Sequence, residues 1–303
     1  MNIPKRRGHL ITEQRNPRSE DLDRKPLAEI LALINDEDAT VPGAVRRVLP
    51  RIEAFVERVV VSFRAGGRLI YVGAGTSGRL GVLDAAECPP TYSVSTDLVQ
   101  GIIAGGDPAL TASVEGVEDR PQAGAESLEA LDLSSRDCVL GISAGSTTPF
   151  VQGALAYARQ VGAATGLLVC TGEAGLSDQA DVIIPVVVGP EVITGSTRMK
   201  AGTATKLVLN MITTTAMVKI NKTYGNVMVD LKALNDKLWD RGSRIVADLA
   251  GLSHEEAFEL LKRTDGEVKT ALAMQLRGWG AQESRRRLQL ADGSLRQVLE
   301  SVG

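Results

Sequence analysis

The sequence predicts an α/β protein: a doubly wound parallel sheet, preceded by N-terminal helices and followed by a small helical domain. Three observations carry this expectation. Five short apolar runs, Leu69–Val72, Ile102–Ala104, Cys138–Ile142, Leu167–Cys170 and Val182–Val188, each end in glycine or hydroxyl residues and give way to helical stretches. Apolar residues make up 44% of the chain but aromatics only 3%, so the core is built from Ala, Val, Leu and Ile, as buried parallel strands require. Beyond Tyr224-Gly225-Asn226 the texture turns helical and more charged.

Taken in order, an amphipathic helix is expected over Pro26–Asn35, and a second after Thr40, with Pro42 in its first turn. Val45, Val48, Leu49, Ile52, Phe55, Val56, Val59, Val60 and Phe63 keep the helical rhythm of that second segment until Gly66-Gly67. A long helix over Ala201–Lys219 follows the last strand, and Ser253–Lys262 and Glu267–Arg277 read as short helices near the end. The expected domains are 1–66 (arm and helices packed on the sheet), 67–229 (the sheet domain) and 230–303 (helical). Ligands of such sheets bind beyond the carboxyl ends of the strands, so the segments after the apolar runs are expected to hold the site.

Composition narrows the chemistry. The net charge is −3, and the densest basic cluster, Arg285-Arg286-Arg287, reads as a solvated helix face, which gives no case for nucleic acid. The polar N-terminus lacks an apolar signal core, and no run approaches the roughly 18 apolar residues of a membrane helix, so a cytoplasmic protein without a membrane partner is expected. Cys88, Cys138 and Cys170 follow neither disulfide nor zinc spacing; the latter two lie in strand-like runs as small hydrophobes. The two histidines, His9 and His254, leave little from which to build a Ser-His-Asp relay or a metal site. Acid–base chemistry falls to carboxylates, lysines or tyrosines.

The first strand runs into Gly73-Ala74-Gly75-Thr76-Ser77-Gly78, formally a dinucleotide fingerprint, with Asp97 where a ribose-binding acid is sought. Two features point elsewhere. Thr76 and Ser77 place hydroxyls beside the N–H groups of a helix start, which suits phosphate oxygens, and Tyr92–Gln100 does not read as a firm second strand. A second hydroxyl-rich loop, Ser143-Ala144-Gly145-Ser146-Thr147-Thr148, follows the Cys138–Ile142 strand at another helix start. Ordinary N-capping accounts for either loop alone; the two together favour a phosphosugar pocket containing Gly75, Thr76, Ser77, Ser143, Ser146, Thr147 and Thr148.

Two acidic positions stand out. Glu87 precedes Pro89-Pro90, where the prolines are expected to end the helix and partly desolvate the acid, raising its pKa as suits a proton donor. Glu115 and Glu118 in Glu115-Gly116-Val117-Glu118-Asp119 are expected on one helix face. Spacing does not say whether Glu87 and Glu118 meet, and an acid of either kind taken alone is more often a solvated surface residue or a cap. Arg198 and Lys200 in Ser196-Thr197-Arg198-Met199-Lys200 read either as cations for an anionic substrate or as surface charges.

These residues resemble a known family. GAGTSGRLGVLDAAECPPT (73–91) is similar to the signature of bacterial N-acetylmuramic acid 6-phosphate etherases, which carry the sugar isomerase (SIS) fold. The resemblance continues in INDEDATVP (34–42), VEGVEDR (114–120) and TGSTRMKAGTATKLVLNM (194–211). It implies an SIS-type sheet and cleavage of the D-lactyl ether of a phosphorylated amino sugar, giving N-acetylglucosamine 6-phosphate and D-lactate in cell-wall recycling. It also implies a homodimer, neither metal nor cofactor, and Glu87 and Glu118 as catalytic acid and base. SIS phosphate loops usually read Ser-x-Ser-Gly-x-Thr; here Gly145 replaces the second serine and Ser146 the glycine, so a displaced hydroxyl is expected. The rivals are a non-catalytic sugar-phosphate regulator, as in the related glucokinase regulatory protein, a sugar-phosphate isomerase and, more distantly, a dinucleotide enzyme.

Overall fold

The computed structural model describes residues 8–233 and 235–301. The outermost residues of the expected N-terminal arm and C-terminal domain, and Leu234, lie outside the described residues. The chain forms two compact units, one comprising the chain up to Ala86 with Asp97–Thr213, the other Glu87–Thr96 with the chain from Thr214 onward.

The first unit is built on a five-stranded, wholly parallel sheet: β1 (Leu69–Gly73), β2 (Val99–Ile103), β3 (Cys138–Ile142), β4 (Ala164–Val169) and β5 (Val182–Pro185). Its helices are α1 (Leu27–Asp38), α2 (Val41–Arg47), α3 (Leu49–Arg64), α4 (Gly75–Tyr92), α5 (Pro108–Thr111), α6 (Pro121–Glu129), α7 (Pro149–Val161) and α8 (Lys200–Lys219), of which α4 and α8 run on into the second unit. Strand order is β2-β1-β3-β4-β5. The chain therefore leaves β1 in one direction, then crosses to β3 on its other side. The crevice between the carboxyl ends of β1 and β3 is the topological switch point, where open α/β sheets bind ligands.

Side chains alternate across the sheet. Ile70, Val72, Val139, Leu167 and Val169 pack with Leu128, Phe150, Val151, Ala154 and Leu155 of α6 and α7. On the opposite face Gly166 lies under the Phe55 ring of α3, and Gly81 of α4 lies on Tyr71. The doubly wound expectation holds, and all five strands fall on or beside the apolar runs that predicted them.

Three local expectations are corrected. The helix predicted to run unbroken from Thr40 is two helices, divided at Val48, because Pro50 has no N–H for the preceding turn and starts a new helix instead. Pro89 and Pro90 do not end α4; it continues to Tyr92, because proline's fixed φ is itself helical and only the donors to the Ala85 and Ala86 carbonyls are lost. Glu115 and Glu118 share no helix face. They lie in turns between α5 and α6, where Gly116 adopts φ +76°, a left-handed conformation that interrupts a helix.

In the second unit a two-stranded hairpin, β6 (Thr223–Tyr224) and β7 (Val227–Met228), turns through Gly225-Asn226. Then follow α9 (Asp236–Ala250), α10 (His254–Lys262), α11 (Val268–Arg277), α12 (Ala281–Leu290) and α13 (Leu295–Glu300). Their core includes Val246, Leu261, Leu272 and Val298. Arg285 pairs with Glu267 at 2.8 Å, and Arg286 and Arg287 pair with Glu283 at 2.8 and 2.6 Å, a solvated face as expected.

Helices α6 and α7 cross in close backbone contact. A Cβ on Gly124 would fall inside the radius of the Phe150 carbonyl oxygen, and one on Gly153 inside that of Pro121. Overpacking of this kind costs about 1–3 kcal/mol. Gly153→Ala is expected to lower stability by that amount, read as a reduced urea midpoint with an unchanged m-value.

Candidate functional site

At the switch point lies a cleft of about 260 Å³ lined by Ala74, Gly75, Thr76, Ser77 and Arg79 from the start of α4, by Ser113, Glu115, Val117 and Glu118 from the α5–α6 loop, and by Thr148 and Thr197 among others. Each segment is placed by strand geometry. The hydrogen-bonded register from Leu69↔Cys138 to Gly73↔Ile142 ends β1 and β3 level, so the loops after them emerge side by side.

Gly73 and Gly78 let α4 start close to the sheet. A Cβ on Gly73 would lie 2.6 Å from Gly78 N, and one on Gly78 would lie 2.6 Å from Ile103 Cγ1. The spacing that looked like a dinucleotide fingerprint is thus a helix–strand packing device. Asp97 precedes β2 rather than ending it, so it does not stand at the carboxyl edge where a ribose-binding acid belongs. What α4 presents to the cleft is its first turn, whose N–H groups have no intrahelical acceptor and whose dipole favours an anion, flanked by the Thr76 and Ser77 hydroxyls.

The second loop contributes less directly. Thr148 lines the cleft, and its Oγ1 lies 2.8 Å from Oγ of the buried Ser143, which stands behind it. Ser146 is buried and Thr147 half-buried, and neither is among the described lining residues. Ser146 holds φ +61°, a left-handed conformation in which glycine carries no penalty and serine costs about 1 kcal/mol. The position where the resemblance expects glycine therefore has a backbone that asks for one.

Glu118 is half-buried on the cleft wall. Its backbone carbonyl accepts a 2.9 Å bond from Phe150 N in the first turn of α7, and Val117 beside it packs on the main core. Glu115 lines the same cleft, exposed, with Ser113 Oγ donating to its Oε1 at 2.8 Å. Glu87 sits on the part of α4 that belongs to the second unit; it is exposed and outside the described lining, so its own chain does not supply the desolvation the prolines were expected to give. The half-buried acid of α4 is Asp84, whose carboxyl burial pushes up, although the Tyr71 hydroxyl at 2.9 Å and the Thr213 hydroxyl at 3.3 Å oppose the rise.

The basic segment before α8 divides. Arg198 is exposed. Lys200 is 3% exposed and pairs at 2.5 Å with Glu37, itself 6% exposed. Glu37 also accepts from Asn16 at 2.9 Å and Arg18 at 2.8 Å. The fully buried Glu191 carboxylate accepts from the N–H groups of Lys200 and Ala201, so the start of α8 already holds an internal anion. Lys200 is structural; the segment's contribution to the cleft is the hydroxyl residue Thr197. Arg79, Ser113 and Thr197 were missed as site residues. Arg79 directly follows the motif's last glycine, the one signal that placed a fixed cation at the loop.

Cys138 and Cys170 are buried, and burial pushes the Cys170 thiol up to about 12, that of an inert hydrophobe. Among the described residues, no group of three or more His, Cys, Asp or Glu side chains is placed to hold a metal ion, and no helix is long and apolar enough to cross a membrane.

Residues 51–159 match the model of the glucokinase regulatory protein N-terminal SIS domain. The chain is 51% identical over 292 residues to the N-acetylmuramic acid 6-phosphate etherase of Geobacillus thermodenitrificans, covering 96% of this chain and 99% of the relative. It is 50% identical over 290 residues to that of Mycolicibacterium smegmatis, covering 96% and 97%. Among solved structures it is similar to phosphoheptose isomerases of Neisseria gonorrhoeae (16% identity, TM-score 0.47, 63% of this chain, 98% of that one) and Francisella tularensis (14%, 0.48, 63% and 98%).

The Glu37–Lys200 pair carries a stability prediction. Burial alone pushes the Glu37 carboxyl up; the Lys200 ammonium, with Asn16 and Arg18, outweighs it and holds the group below its ordinary value of 4.5. A depressed carboxyl stabilises the fold above the unfolded value and loses that contribution as pH falls through the folded one. Lys200→Met leaves a buried, underpaired charge and is expected to cost about 3–5 kcal/mol at pH 7. The gap from wild type should narrow as acid below about pH 4.5 neutralises Glu37, as checked by urea unfolding across that range.

Proposed function

The chain belongs to the N-acetylmuramic acid 6-phosphate etherase family, and we propose that it releases D-lactate from N-acetylmuramic acid 6-phosphate by elimination followed by addition of water, leaving N-acetylglucosamine 6-phosphate. The observation that carries this reading is one cleft, at the switch point, that holds both an anion-suited helix start with hydroxyls and the carboxylate of Glu118.

The chemistry follows from the substrate. In the open-chain sugar the C3 ether oxygen is β to the C1 aldehyde, so the C2 proton is acidified. In this reading Glu118 acts as the base that removes that proton, and Glu87 as the acid that delivers a proton to the departing lactate oxygen. Water then adds at C3 of the unsaturated aldehyde. Thr76, Ser77, Thr148 and the N–H groups at the start of α4 hold the phosphate, with Ser143 fixing Thr148. Ser146 and Thr147 belong to this proposal as supports of the loop.

The elimination makes the enzyme a carbon–oxygen lyase. On the same reading the protein is a cytoplasmic homodimer, with residues 67–229 as the sugar-phosphate domain, 1–66 packed on it and 230–303 as an auxiliary helical domain. The identity of the relatives over nearly the whole chain supports the substrate, and the two glutamates at the motif positions support the roles.

Each proton transfer is worth about 10²–10⁴ in rate. Glu118→Gln and Glu87→Gln are each expected to slow lactate release by that factor. In heavy-oxygen water the wild-type product should carry one label at C3. Release at wild-type rates by both variants, or an unlabelled product, overturns the mechanism.

A further inference from the structure

Arg79 is the one cation among the described residues that line the cleft, and a phosphate ligand is the first role such a residue suggests. Its hydrogen bonds point to another. Arg79 Nε donates to Leu110 O at 3.0 Å, and Nη2 donates to Ala112 O at 2.9 Å. Both acceptors lie at the end of α5, a four-residue helix whose last carbonyls have no helical donors. The planar guanidinium fork therefore closes a helix end from a neighbouring element.

From that clamp the chain runs without regular structure through residues 112–120, and this stretch supplies Ser113, Glu115, Val117 and Glu118 to the cleft. The far end of the stretch is fixed where Phe150 N holds the Glu118 carbonyl at 2.9 Å. Arg79 closes the near end. Because it sits one turn beyond Thr76 and Ser77 on α4, the same rigid helix that meets the phosphate also sets the start of the loop that carries the base.

We infer that Arg79 is a positioning residue for Glu118: it fixes the distance between the anion cradle of α4 and the carboxylate that takes the C2 proton, through two backbone carbonyls rather than through the substrate. This rests on the role proposed for Glu118. A lysine keeps the positive charge but, with a single nitrogen on a flexible stem, does not reproduce a planar two-point clamp. A displacement on the order of 1 Å at a reacting group can cost about 10²-fold.

The test compares Arg79→Lys with wild type in the full-length protein. The readouts are lactate release, deuterium uptake at C2 of N-acetylglucosamine 6-phosphate in heavy water, and affinity for that compound by calorimetry. The expected result is a loss of about 10- to 100-fold in kcat and a parallel loss in C2 exchange, with KM and affinity within about threefold of wild type. Arg79→Gln should lose at least as much kcat and also weaken phosphate affinity, because it removes the charge. The inference is overturned if Arg79→Lys keeps wild-type kcat and exchange, or if its defect lies in KM and affinity alone, as for a direct phosphate ligand. A wild-type protein that neither releases lactate nor exchanges C2 sinks the proposed function instead, a different outcome.

Discussion

Parallel pairing of β1 with β3 is the constraint from which the site follows. Their register brings Gly73 level with Ile142, so the chain leaves the sheet twice at one edge, once into α4 and once into the Ser143–Thr148 loop. Because β2 lies on the far side of β1, nothing in the sheet separates those two exits. The α5–α6 loop that follows β2 returns over the same edge, and its Glu118 carbonyl is taken by α7, the helix that begins where the second loop ends. A hydroxyl cradle and a carboxylate meet because of topology; neither loop's sequence alone encodes the encounter.

How much of this was legible follows from the range of each interaction. The strands were readable because a parallel strand buried on both faces is a continuous apolar run, and the two hydroxyl loops because they directly follow such runs. Pro50 was readable in principle, since the missing N–H is local. Pro89 and Pro90 misled because their effect on a helix depends on whether surrounding packing keeps the turn despite two lost hydrogen bonds. Glu115 and Glu118 misled for a related reason: their i, i+3 spacing fits a helix, but Gly116 between them takes a left-handed conformation instead. Lys200 was ambiguous because its partner, Glu37, lies 163 positions away. Arg79 was missed because a side chain that bonds backbone carbonyls leaves no signature in the residues it holds.

The glycines of the first loop carry a more general point. Gly-x-Gly-x-x-Gly after a strand is read as nucleotide chemistry because glycines let a backbone approach a pyrophosphate. Here Gly73 and Gly78 are occupied with each other and with Ile103. Close approach of helix to strand is a packing requirement that many ligands can exploit. Which ligand is bound depends on what else faces the opening, and here that is threonine, serine, arginine and glutamate.

That company sets an electrostatic problem. A phosphate entering a cleft that already holds Glu115 and Glu118 meets like charge, and a helix start offers only about half a positive charge to offset it. Had Arg79 been paired with either glutamate, its charge would be cancelled locally. Among the described residues it donates instead to the Leu110 and Ala112 carbonyls, which fix its position and leave its formal charge intact. An arginine held by carbonyls keeps its formal charge, which on the proposed reading offsets that of the glutamates where a phosphate enters. The two duties are separable in principle: any cation supplies the charge, but only a planar fork supplies the clamp.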